Sequence, residues 1–107
     1  MVRRGIRREV RSLSYRAAAI RDVQGIADTT RERWDEDQAR IYSDRIRTDI
    51  SRLREFALRY TEYTTRSGET FLKMRTGSHI VFYVATAKNV EIVRILPARA
   101  DFTKFLV

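Results

Sequence analysis

Two β-rich runs, Thr76 to Val84 and Val90 to Leu96, follow two helical stretches and end in the charged segment Pro97-Ala98-Arg99-Ala100-Asp101. The first of these runs constrains the fold most. Ile80, Phe82 and Val84 alternate with Val81, Tyr83 and Ala85, so a strand built from them is apolar on both faces. One face can lie on helices. The other needs a second cover or stands exposed as a binding surface. The tail residues Phe102, Phe105, Leu106 and Val107 are candidates for that cover.

Periodicity places the helices. Val10 to Leu13 reads as a short strand of open direction, and Ser14 as the N-cap of a helix that begins at Tyr15. Ala17, Ile20, Val23, Ile26/Ala27 and Thr30 recur at three- and four-residue steps, which lines one helical face. Gly25 costs that helix about 1 kcal/mol relative to alanine. The second helix follows Trp34, with Asp35, Glu36 and Asp37 on the positive end of its dipole. Its seam is Ala39, Tyr42, Ile46, Ile50, Leu53, Ala57 and Tyr60, and Glu36, Arg40, Asp44, Arg45 and Asp49 mark the outer face. The join from about Glu32 to Asp35 is short, which favours an antiparallel hairpin.

Thr61 to Glu69 reads as a polar connection. Phe71 to Arg75, His79 to Thr86 and Val90 to Leu96 read as strands, joined by turns short enough to demand antiparallel neighbours. The expected architecture is α+β: an antiparallel helical hairpin packed on a small, mainly antiparallel sheet, in the order β-α-α-β-β-β. A length of 107 residues fits one domain, 1–107, with a basic arm at 1–9 and a tail at 98–107.

Composition removes several chemistries. Without cysteine there is no disulfide framework or thiolate metal site, and the single histidine rules out a multi-histidine centre. No metal and no cofactor are expected, and a cytoplasmic location is the simpler reading. The longest apolar run, Ile80 to Ala85, falls far short of the ~20 residues that cross a bilayer. Met1 to Arg8 is basic, but no apolar stretch follows to make a secretory signal. The net charge of +8 sits at the two ends of the chain around a nearly neutral helical segment. That distribution suits an anionic partner, nucleic acid or acidic protein. Arginine outnumbers lysine 19 to 3, a bias toward forked bonds to carboxylate and phosphate.

Taken in order, the short strand, Leu13-Ser14, two helices, Gly77-x-His79-x-x-Phe82-Tyr83 and Val90-x-Ile92-x-x-Ile95-Leu96-x-x-Arg99-x-Asp101 resemble the ParE branch of the ParE/RelE type II toxins. The resemblance runs from residue 10 to 105. It implies a toxin silenced by a ParD-like antitoxin, poisoning DNA gyrase by binding and meeting DNA only through the antitoxin. The chain departs from the family pattern at Tyr15 and Pro97, where proline and histidine are usual.

On this reading the antitoxin and target meet Lys73, Arg75, Arg94, Arg99 and Asp101, with Tyr83 and Phe105 adding apolar contact, and there is no catalytic residue. The alternatives are a RelE-like ribosome-dependent mRNA endoribonuclease and a stand-alone basic nucleic-acid-binding protein. Cleavage needs a base, an acid and phosphate-binding cations. Cations are present, and Arg99 aligns with a phosphate-binding arginine of the RelE branch. The family's late tyrosine falls at Phe105, which has no hydroxyl. His79 reads as a strand-end surface residue, Trp34 as a helix-corner residue, and Asp22/Asp28 as helix solubility rather than metal ligands.

Overall fold

The structure is a computed structural model that describes residues 10–107. The expected arm at 1–9 lies outside the described residues. Strand β1 (Ser12–Tyr15) leads into helices α1 (Ala17–Arg33) and α2 (Glu36–Phe56), and a 3-10 turn (Ala57–Arg59) closes the second helix. Strands β2 (Thr61–Thr64), β3 (Thr70–Thr76), β4 (His79–Ala85) and β5 (Asn89–Pro97) follow, then a 3-10 turn at Phe102–Lys104.

The sheet order is β1-β5-β4-β3-β2. β1 pairs with β5 in parallel, Leu13 opposite Val90, and every other neighbour is antiparallel. The helical hairpin expected from the short join at about Glu32 to Asp35 is present. Asp35 caps α2, its carboxylate accepting from the Gln38 N–H at 2.8 Å.

Two expectations are corrected. Ser14 does not cap α1: it pairs with Glu91 inside β1, and the cap position falls to Arg16, which has no side-chain cap bond. Strand pairing, extended by the Arg16 N–H on the Ile92 carbonyl at 2.9 Å, outweighs a cap worth about 1 kcal/mol. The connection read at 61–69 contains a strand, β2, which forms a hairpin with β3 through Tyr63 opposite Phe71. Its threonines look polar in sequence, yet their β-branching suits an edge strand.

The two faces of β4 are both buried. On the helical side, Val81 and Tyr83 pack with Ile46, Ile50 and Leu53 of α2, Ala19 of α1, and Ile92 and Ile95 of β5. On the other side, Phe82 packs with Phe71, Val93, Leu96 and Leu106, and the tail supplies Phe102 as well. The Phe82 and Phe102 rings meet edge-to-face at 4.9 Å, and Tyr63 closes the cluster with centroid distances of 5.4 Å to Phe82 and 6.0 Å to Phe102. The tail is thus the second cover, with Phe102 and Leu106 turned in and Phe105 and Val107 left out. Ser67 Oγ donates to the Val107 carbonyl at 2.9 Å and ties the tail to the β2–β3 turn.

Leu106→Ala should lower the unfolding free energy by about 2–4 kcal/mol in urea denaturation, the usual cost of truncating a buried leucine. An unchanged midpoint would mean that the tail-side core contributes nothing.

Candidate interaction surface

Register sets which charges share a face. Lys73, Phe82 and Arg94 lie in one line across β3, β4 and β5, and Arg75, Ile80 and Leu96 in the next. Because Phe82, Ile80 and Leu96 face the tail, Lys73 and Arg75 emerge on that side as well. Lys73 Nζ lies 5.9 Å from the centre of the Tyr63 ring. Arg75 is exposed, its Nε donating to the Gly77 carbonyl at 3.0 Å.

Arg99 is carried into the same neighbourhood by the tail. The Ala98 N–H donates to the Ser78 carbonyl and the Ala100 N–H to the Pro97 carbonyl, both at 2.9 Å, which makes a tight turn beside the β3–β4 connection. Arg99 is exposed there without a carboxylate partner among the described residues. Phe105 is 45% exposed and lies under the Arg94 guanidinium at 5.2 Å.

Three residues expected on this surface have structural duties. Tyr83 is fully buried and its hydroxyl donates to the Ala57 carbonyl at 2.5 Å, so it has no face to offer a partner. Burial also pushes its phenol pKa up. Asp101 accepts from the Thr103 N–H at 3.1 Å and from its hydroxyl at 2.6 Å, capping the final turn.

Arg94 is the third. Its Nε and Nη2 fork onto Asp22 at 2.7 and 2.9 Å, while Asp22 Oδ2 also accepts the Ile95 N–H at 2.9 Å. This geometry follows from a length mismatch and a bulge. β1 has four residues against the nine of β5, so beyond Ile92 the outer edge of β5 has no strand beside it. The register steps between Phe82 opposite Arg94 and Tyr83 opposite Ile92, leaving Val93 as an extra residue. Asp22, read from sequence as helix solubility, caps that edge and holds α1 against it. A bulged strand longer than its neighbour is not visible in local sequence.

A second polar node lies at the tip of the hairpin. Tyr42, expected as seam packing, accepts the Ser78 N–H at 3.1 Å and meets Ser78 Oγ at 3.0 Å and His79 Nδ1 at 2.6 Å. Gly77 has φ +59° and its absent side chain makes room for Tyr42, since a Cβ there would stand 2.7 Å from the ring. Thr76 Oγ1 donates to Asp49 Oδ2 at 2.7 Å, a second tie between the β3–β4 turn and α2. Trp34 stands edge-on to Tyr42 at 5.9 Å and is 51% exposed. His79 is a half-buried partner of α2 rather than a free surface residue. Burial pulls its pKa below the ordinary value, with the Asp22 charge acting weakly the other way.

Among the described residues no cluster of histidine, cysteine or carboxylate groups is placed to hold a metal ion, and no helix is long and apolar enough to cross a membrane.

The sequence model of the ParE toxin of the type II toxin-antitoxin system parDE matches residues 13–102. The chain belongs to the ParE toxin family. A solved structure described as the chromosomal ParDE TA system from P. aeruginosa shares this ParE fold, with a TM-score of 0.67 at 17% identity over 83% of this chain and 97% of that one. No curated protein sequence matches this ParE-family chain.

Two measurements test these placements. Tyr83→Phe should cost about 1–2 kcal/mol in unfolding free energy, because it leaves the Ala57 carbonyl buried without its donor; no loss would place Tyr83 elsewhere. For His79, the folded state refuses a proton that the unfolded chain accepts at an ordinary pKa of about 6.5. Its stability contribution is therefore complete above that value and is lost as pH falls through the lower folded value. Unfolding free energy should fall as pH drops through and below the ordinary histidine value of about 6.5, and His79→Gln should flatten the slope. A flat wild-type profile would contradict the burial of a neutral imidazole.

Proposed function

We propose that this ParE-family toxin acts by occupying DNA gyrase, and that a ParD-like antitoxin keeps it silent by covering the tail side of the sheet. The observation that carries the reading is the family match over residues 13–102. The surface chemistry supports it. Lys73, Arg75 and Arg99 present cations on the side of the sheet that the tail covers, and Phe105 and Val107 of the tail add exposed apolar area. Acidic and apolar residues of an antitoxin segment complement both features, and arginine is the residue most suited to forked bonds with its carboxylates.

Binding, rather than RNA cleavage, is the reading that the groups near this surface favour. A ribonuclease needs a proton acceptor and a proton donor within reach of one phosphate. The chain has one imidazole, and its Nδ1 is engaged by Tyr42. Position 105 carries a phenyl ring without a hydroxyl. Such a binding protein acts in the compartment that holds the chromosome, so a cytoplasmic location belongs to the same proposal.

Purified protein should inhibit gyrase supercoiling and leave ribosome-bound mRNA intact. Cleavage in the second assay, without inhibition in the first, would replace this reading with a RelE-like one. Arg99→Ala should weaken antitoxin affinity or gyrase inhibition by roughly tenfold or more, the effect of removing an interfacial arginine anchor. If both remain unchanged, the tail side is not the working surface.

A further inference from the structure

Two hollows lie along one side of α1 and meet at His79. One, about 140 Å³, sits at the hairpin tip between Arg33, Trp34 and Tyr42. The other, about 370 Å³, runs between α1 and the open edge of β5 as far as Arg94 and Phe105. Thr29, Thr30 and His79 wall both, so the two form one trough. From α1, Asp22, Gly25, Thr29 and Arg33 line it at steps of three, four and four residues. Gly25 has no atom within 4 Å of where a Cβ would stand. Packing therefore does not require glycine there, although glycine costs a helix interior about 1 kcal/mol. What the missing side chain provides is width.

We propose that this trough binds a short segment of single-stranded nucleic acid. Trp34 at one end and Phe105 at the other are 51% and 45% exposed and offer rings to unpaired bases. Arg21 and Arg33 are exposed on its walls and have no carboxylate partner among the described residues. The carboxylate inside the trough, Asp22, is already engaged by Arg94 and the Ile95 N–H, so it does not repel a phosphate as a free acid would. Rings for stacking interleaved with unpaired guanidinium groups are what sequence-tolerant binding of unpaired strands uses. A duplex keeps its bases stacked on one another and away from both rings. This inference does not depend on gyrase being the target.

Trp34 is the single tryptophan, so its fluorescence reports on the trough directly. Titration of the full chain with oligo-dT and oligo-U of about eight nucleotides should give saturable quenching that weakens as salt rises. The tighter of the two identifies DNA or RNA as the source. By anisotropy of the labelled oligonucleotide, Trp34→Leu and Gly25→Gln should each weaken binding roughly tenfold. Gly25→Gln adds its side chain in open space and keeps the test valid if the tryptophan variant does not fold. Arg59→Gln removes a cation that lies over Phe56, outside the trough and about 30 Å along α2 from Trp34, and should change affinity less than about twofold. Absence of quenching would overturn the proposal. So would an equal loss in Arg59→Gln, or a duplex or an acidic peptide that quenches as well as the single strands.

Discussion

A central strand that is apolar on both sides has to be covered twice, and the rest of the molecule is arranged around that requirement. The helical hairpin provides one cover through Ile46, Ile50 and Leu53, and the tail provides the other through Phe102 and Leu106. Each buried side chain of this size contributes about 1.5–3 kcal/mol, so neither layer is dispensable in a domain whose net stability is only of that order several times over. The second cover brings a consequence for function. A tail held down by its own apolar residues presents Arg99 beside the β3–β4 connection and Phe105 beneath Arg94 of β5.

The edge of β5 is the second place where a packing problem shapes the surface. β1 is too short to pair the whole of β5, and the N–H of Ile95, left without a strand partner, is taken by Asp22 from α1. The same carboxylate grips Arg94 in a fork, and Arg94 in turn lies over Phe105. One acidic side chain thereby joins helix, sheet and tail. The space that β1 leaves open beyond Ile92 is the trough beside α1. An opposite solution holds at the hairpin tip, where Tyr42 closes directly over Gly77 and bonds to Ser78 and His79.

Much of this was legible in the residues. The three- and four-residue seam of α2 and the alternation of β4 specified a hairpin on a sheet, and the order of motifs specified the family. What escaped was whatever depends on partners distant in sequence. Ser14 reads as a cap until β5 is beside it, and Thr61–Thr64 reads as a loop until β3 is. Asp22 on a helix surface looks like a solubility residue, because nothing nearby in sequence shows that a strand edge will need an acceptor. Tyr83 illustrates the same limit in reverse: a tyrosine on a two-sided apolar strand can face a partner or a core carbonyl, and only the position of Ala57 decides. Among the residues read as a partner surface, Arg75, Arg99 and Phe105 are exposed, Lys73 is half-buried on the same side, and Arg94, Asp101 and Tyr83 hold the scaffold.

Under the proposed function this ParE-family protein is an obstacle rather than a catalyst: a domain whose cationic and aromatic surface would seat on another macromolecule. Occupancy is reversible in a way that bond cleavage is not. The most direct measurement is therefore recovery of the target. Gyrase first inhibited by the toxin is chased with excess cognate antitoxin, and supercoiling activity and the intact mass of every component are followed. Full recovery with no mass change is the predicted result. Activity that stays lost after the toxin has been captured, or a cut chain among the products, would contradict the account.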